Sequence, residues 1–238
     1  MTAIVTEINS WDDLPSMQAA FAQTGRIQIR NFLPEGTARA IQTALKALEW
    51  RLVLNENGKH LDIHPVQIKQ LGPKKMRLIK QAAQARATHE FQYLYENYPV
   101  FDILKSGKPV NPIIDAIYKA LNSQAFRSRL TEMTGLPVDY CDIQATRYRK
   151  GHFLTTHDDG VEGKNRQMAF VLNLTEVWRA SWGGRLEFTG PHGEVIDTLL
   201  PLFNSLSLFK VPQPHEVTRV SHKAKHPRMA LTGWFRTR

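Results

Sequence analysis

Residues Tyr148-Arg-Lys-Gly-His-Phe-Leu-Thr-Thr-His157-Asp158-Asp159 decide how the rest of the chain is read. They close on a His-x-Asp pair, His157 and Asp159, at what reads as the end of a β-strand. Side chains alternate along a strand, so residues two apart point the same way. The pair can therefore grip one metal ion together, with Asp158 turned elsewhere. Two ligands are too few to hold a metal, so a third must come from elsewhere in the chain.

His215, in Pro212-Gln-Pro-His215-Glu-Val217, is the candidate third ligand, at the start of a later strand. Two histidines and one carboxylate on one face hold Fe(II) and leave adjacent positions open. A lone His-x-Asp also arises by chance, so three unrelated residues remain the alternative at this point. Thirteen positions beyond His215 lies Arg228, in Pro227-Arg-Met-Ala-Leu-Thr232-Gly-Trp-Phe235. A strand-borne arginine can clamp a carboxylate through two parallel hydrogen bonds. Thr232, an even number of residues later, faces the same side and can add a hydroxyl. Tyr148 can reach the same group from a neighbouring strand. In isolation Arg228 would read as one more surface cation.

Outward from these residues the chain falls into two textures. Before Pro137, helical patterns dominate: about Pro15 to Gln23, a helix starting at Pro34 and Glu35, and the pair 111–122 and 123–134. The stripe Ala38, Ile41, Ala44, Leu45 and Leu48 reads as core. Residues Pro73 to about Tyr98 read as one long helix carrying Lys74, Lys75, Arg77, Lys80 and Arg86, a solvated face or a partner-binding rim. Arg26–Phe32 and Arg51–Asn55 read as strands, the latter before the turn Glu56-Asn57-Gly58. After Pro137 come short strand-like runs at 139–149, 166–174, 184–188, 194–199, 205–209, 216–220 and 228–235. Strands at this spacing predict a β-sandwich or barrel, here with N-terminal helices covering one sheet. The expectation is one domain over 1–238, with 1–136 a helix-rich support and 137–238 the β core with the site.

Composition bounds the setting. At 42% hydrophobic and 22% charged, the 238 residues are ordinary for a globular protein. Glu7, Asp12 and Asp13 interrupt any signal-peptide core, and no apolar run approaches a membrane span. The single cysteine, Cys141, excludes an internal disulfide and a cysteine-rich zinc site, so a cytoplasmic setting is expected. A net charge of +9 and a pI near 9.7 favour an anionic partner over a merely solvated surface only loosely.

Taken in order, Tyr148…His157-x-Asp159, Ala169-Phe-Val-Leu-Asn173, Trp178…Trp182-Gly-Gly184-x-Leu186, Pro214-His-Glu-Val217 and Arg228…Thr232-Gly-Trp-Phe235 resemble a family. They are similar to Fe(II)- and 2-oxoglutarate-dependent dioxygenases of the prolyl hydroxylase type. Leu154-Thr-Thr-His-Asp-Asp159 looks most like the branch acting on a ribosomal-protein proline. The resemblance is strong over residues 138–236 and weaker before them.

It implies a double-stranded β-helix, or jelly-roll, core (mainly β with helical support, α+β). It implies iron on His157, Asp159 and His215, and the distal carboxylate of 2-oxoglutarate on Arg228, Thr232 and Tyr148. No side chain beyond the metal ligands is implied as catalytic. Fe(II), 2-oxoglutarate and O2 would be the cofactors, and the resemblance also admits ascorbate. The implied partner is a protein bearing a target proline, ribosomal or RNA-associated. A free amino-acid hydroxylase and a nucleic-acid oxidative demethylase are the alternatives within the same superfamily. A binding module that lost the reaction is the non-enzymatic one. One departure stands out: Phe170 and Val171 occupy the strand where family members often carry a second tyrosine.

Overall fold

The computed structural model describes residues 6–11 and 13–238. The chain order is α1 (Leu14–Thr24), β1 (Arg26–Ile29), α2 (Glu35–Lys46), β2 (Arg51–Glu56), β3 (Lys59–Ile63), α3 (Pro65–Arg86) and β4 (Tyr93–Tyr98). Then come α4 (Val100–Lys105), α5 (Pro112–Leu121), α6 (Gln124–Thr134), β5 (Tyr140–Tyr148), β6 (Phe153–His157) and β7 (Arg166–Asn173). The last strands are β8 (Leu186–Thr189), β9 (Val195–Leu199), β10 (Ser205–Lys210), β11 (His215–Val217) and β12 (Arg228–Arg236).

The strands pair antiparallel in the order β1-β10-β7-β12-β5-β4-β6-β11-β8-β9, with β2 and β3 added beside β4. The two end strands approach each other: Arg26 of β1 pairs with Asp197 of β9 at 2.6 Å, and the Gln28 amide donates to the Leu200 carbonyl. The sheet is thereby nearly closed into a jelly-roll-like barrel: the strand spacing predicts a sandwich or barrel, and the resemblance implies the jelly roll.

Alternation sorts the faces. On β5, Cys141, Ile143 and Ala145 turn outward into the main core, while Gln144, Thr146 and Tyr148 line an interior cavity. On β12, Met229, Leu231 and Phe235 join that core, whereas Arg228, Thr232 and Trp234 line the cavity. Gly233 falls on the crowded face, where a Cβ would collide with the Asp142 carbonyl. The outer core is completed by helices with ordinary ends. The Asn111 side chain caps α5 ahead of Pro112, Ser123 caps α6, and left-handed Gly135 ends it.

One expected element divides differently. The run from Pro73 to Tyr98 is not a single helix: α3 begins at Pro65, kinks at Gly72 and stops at Arg86, and Tyr93–Tyr98 is strand β4. Tyr93-Leu-Tyr-Glu-Asn-Tyr98 alternates, and β4 gains pairing on both edges, with β2 on one side and β5 then β6 on the other. Two-sided pairing outweighs local helical preference. The front half therefore supplies four strands as well as its helices.

Beneath α3, His152 is fully buried, and neither ring nitrogen has a hydrogen-bond partner among the described residues. Burial, with Lys80 nearby, pushes its imidazole down to about 3 from an ordinary 6.5. The folded protein keeps this ring neutral while the unfolded chain protonates it near 6.5. Its contribution is thus whole above that pH and shrinks as pH falls toward 3. Between pH 7 and pH 5 the loss is about 2 kcal/mol. Urea unfolding of His152→Leu at both pH values should show a slope shallower by that amount. An unchanged slope would assign the acid sensitivity to other groups.

Candidate metal centre

His157 and His215 face each other as paired residues of β6 and β11, with ring centroids 4.2 Å apart. Each ring is oriented by its own backbone. Nδ1 of His157 lies 3.0 Å from the Thr155 carbonyl and Nδ1 of His215 lies 2.7 Å from the Gln213 carbonyl. A carbonyl only accepts, so each Nδ1 carries the proton and each Nε2 presents a bare lone pair. Both Nε2 atoms lie 3.5 Å from the Asp159 carboxylate, one from each oxygen. The three ligand atoms lie within 4.8 Å of one another, the one such cluster among the described residues.

Asp159 reaches this position differently from the expected strand alternation. β6 ends at His157, and Asp159 takes a left-handed backbone, φ 63°. That conformation is uncommon outside glycine but tolerated by Asp, and it turns the carboxylate back toward the two rings. Asp158 does point away, its side chain accepting from the Gly160 amide. Burial alone would raise the Asp159 carboxyl, but His157 and then His215 hold it below the usual carboxylate range. Burial, and then His157, pushes His215 down to about 4, so it stays neutral as a ligand requires.

Arg166 went unnoticed in the sequence. Its guanidinium donates to the Asp159 carbonyl at 3.0 Å, stands 3.7 Å from the carboxylate and lies 3.6 Å over the Trp234 ring. It fastens the strained turn. No spacing rule links positions 159, 166 and 234, so only the folded chain reveals it.

The same cavity, about 350 Å³, holds Tyr148, Arg228 and Thr232 together with the metal cluster. Arg228 is 3% exposed; among the described residues it has no acidic partner and its Nε has no hydrogen-bond partner. Burial lowers its pKa, yet a guanidinium stays charged. The Tyr148 ring lies 5.3 Å from its guanidinium carbon. Burial also raises the Tyr148 phenol, so it remains a neutral donor. Thr146, one pleat along from Tyr148, has a buried hydroxyl that is likewise unpartnered.

A buried cation beside unpartnered donors calls for an anion, and the nearby lone-pair cluster calls for a cation. The donor set fits Fe(II) at one end of the cavity and a carboxylate at the other. Aromatic rings form a ladder along one wall. Tyr148 stacks on Tyr95 at 5.1 Å, Tyr95 meets Tyr93, and Tyr93 meets Phe91, which also approaches His157. Tyr93 and Tyr95 belong to β4, the strand hidden inside the expected helix.

Residues 143–236 match the sequence profile of the 2OG-Fe(II) oxygenase superfamily. This part of the chain is similar to 2OG-Fe(II) oxygenases. Fe(II), 2-oxoglutarate and O2 are the cofactors that the superfamily implies, consistent with the His-His-Asp cluster. The chain is similar to the prolyl 3-hydroxylase sudestada1 of Drosophila melanogaster, 32% identical over 155 residues. That match takes in 60% of this chain and 28% of the relative. The chain is also similar to the prolyl 3-hydroxylase OGFOD1 of Xenopus laevis, 34% identical over 118 residues, 46% of this chain and 22% of the relative. The chain thus spans about a quarter of the length of these curated relatives.

Among solved structures, a prolyl-4-hydroxylase of Pseudomonas putida superposes with a TM-score of 0.58 at 20% identity, covering 94% of this chain and 99% of that one. A prolyl hydroxylase of Trichoplax adhaerens, in complex with a hypoxia inducible factor peptide fragment, gives 0.62 at 15% identity over 94% and 88%. At such identities these two establish the shared fold. No helix among the described residues is long and apolar enough to cross a membrane.

Proposed function

We propose that the protein is a 2-oxoglutarate-dependent dioxygenase that hydroxylates a prolyl residue of a protein substrate. The observation that carries this reading is Arg228, a buried, uncompensated guanidinium in the cavity that also holds His157, Asp159 and His215. In it, His157, Asp159 and His215 hold the iron through two Nε2 atoms and one carboxylate. Arg228 clamps the distal carboxylate of 2-oxoglutarate, and Tyr148 and Thr232 donate hydroxyls to it. When bound, Fe(II) and 2-oxoglutarate supply the redox chemistry, with decarboxylation to succinate and delivery of one oxygen atom to a C–H bond.

The chain's own residues bind and orient. Thr155 and Gln213 carbonyls fix the imidazole tautomers, and Arg166 holds the turn of Asp159. Val171, Leu186 and Phe209 give the cavity apolar walls that exclude water. The proline assignment leans on the two relatives named as prolyl 3-hydroxylases and on the ring faces of Phe91, Tyr93 and Tyr95, which suit a pyrrolidine.

We also propose that the 238 residues work as one domain, because β4 of the front half pairs with both β5 and β6. A cytoplasmic setting and a ribosomal or RNA-associated substrate complete the proposal, supported by the single buried cysteine and the charge of +9.

The test is anaerobic reconstitution with Fe(II), then O2 and 2-oxoglutarate with proline-bearing peptides. Succinate release matched by a one-oxygen mass gain on proline is the expected result. Succinate matched instead by oxidation of a free amino acid, or by repair of a methylated oligonucleotide, would replace this substrate class. No succinate with any of the three would remove the enzymatic reading.

A further inference from the structure

The basic excess is not spread evenly. Three stretches contain no Asp or Glu at all, 63–89, 143–157 and 217–238, and they hold fifteen of the 31 lysines and arginines. Far apart in sequence, they meet in space. The Gln84 amide of α3 donates to the Gly151 carbonyl in the β5–β6 turn. The Gly151 amide donates to Val220 after β11, and the Val220 amide donates back to His152. The Arg219 guanidinium lies 5.1 Å over the ring of Phe153.

On α3, Lys74, Arg77, Lys80 and Gln84 follow one another at three- or four-residue spacing, so they form one strip along the helix. From Lys74 to Gln84 that strip runs about 15 Å, and it ends at the turn carrying Arg149 and Lys150. The segment bonded to that turn through Val220 carries Arg219, Lys223 and Lys225. Lys74, Arg77, Lys150, Arg219, Lys223 and Lys225 are all exposed, and none is ion-paired to a described acidic residue. None of them lines the cavity.

We propose that this belt binds a single-stranded nucleic acid, with the cations on phosphates and Arg219 stacked on a base. A line of exposed cations without a pocket suits a phosphate backbone, whose charges also repeat along a line. The planar guanidinium of Arg219, backed by Phe153, offers a face on which a splayed base can stack. An acidic peptide would use the charges but not that face. The belt stands on its own geometry and does not depend on the hydroxylase reading.

The experiment is fluorescence anisotropy of a labelled oligouridylate and a matching oligodeoxynucleotide against the full chain over a salt series. Each phosphate contact contributes roughly 0.7 to the slope of log K against log salt. The variant Lys74→Ala/Arg77→Ala/Lys150→Ala/Arg219→Ala removes three phosphate contacts and one stacking face, so it should lose about 2.1 in slope and roughly tenfold or more in affinity. The variant Lys46→Ala/Lys105→Ala/Lys108→Ala/Lys119→Ala, equal in charge but placed elsewhere, should bind as the parent does. Equal weakening in both variants would reduce the effect to net charge and overturn the belt. Absence of saturable binding, or tighter binding of an oligoglutamate than of either oligonucleotide, would overturn it as well. Melting temperature and peptide-independent 2-oxoglutarate decay should be unchanged in the first variant, which separates loss of the belt from loss of the fold.

Discussion

Asp159→Ala leaves the protein unable to retain iron and lowers succinate formation at least about a hundredfold. That bound is conservative, because changes to groups that merely support a ligand already cost roughly 10- to 100-fold. Asp159 is the only carboxylate of the cluster and touches both imidazoles at 3.5 Å, so its removal leaves two neutral donors with nothing to balance a dication. Iron content after anaerobic reconstitution is the direct readout, and His157→Ala should behave the same way. Equal iron in parent and both variants would undo the ligand assignment whatever happens to activity. Alanine at this left-handed position adds about 1–2 kcal/mol of backbone strain. A buried carboxylate is removed, however, and Arg166 keeps its bond to the backbone carbonyl, so the variant should fold.

Arg228→Met separates binding from folding. Truncating one partner of a buried, hydrogen-bonded charge pair costs roughly 2–5 kcal/mol, so KM for 2-oxoglutarate should rise about a hundredfold or more. In the ligand-free protein the sign reverses. There the guanidinium is buried without a counter-charge among the described residues, and an apolar side chain of similar length removes that penalty. The ligand-free variant should melt a few degrees higher, at roughly 2–4 °C per kcal/mol, while the stabilisation that 2-oxoglutarate gives the parent disappears. A variant that melts lower, yet still responds to 2-oxoglutarate, would make Arg228 a structural cation.

Arg228, Thr232 and Tyr148 could be read from the sequence because they obey a strand's period of two. Arg228 and Thr232 fall on one face of β12, and Tyr148 sits across from Arg228 in register. What could not be read depends on contacts between distant segments. Asp159 is presented by a left-handed turn rather than by strand alternation, and Arg166 meets it only after β7 returns to β12. The long helix expected through Tyr98 ends at Arg86 because Tyr93–Tyr98 finds strands on both edges. Nothing local announces those partners, since α3 itself contains a glycine and a proline and yet continues through its kink. The aromatic wall was hidden with β4, as Tyr93 and Tyr95 only become neighbours of Tyr148 through that pairing.

The position of β4 also sets where the chain can be cut. The stretch that carries the superfamily signature begins at residue 143, inside β5, and ends within β12. Expressed alone, it would lack β1 and β4 and so bare one edge of β10, β5 and β6. Unpaired edges of this kind invite pairing with other copies. A fragment trimmed to the recognisable signature should therefore be recovered as insoluble material, whereas a minimal soluble version must keep residues from β1 onward.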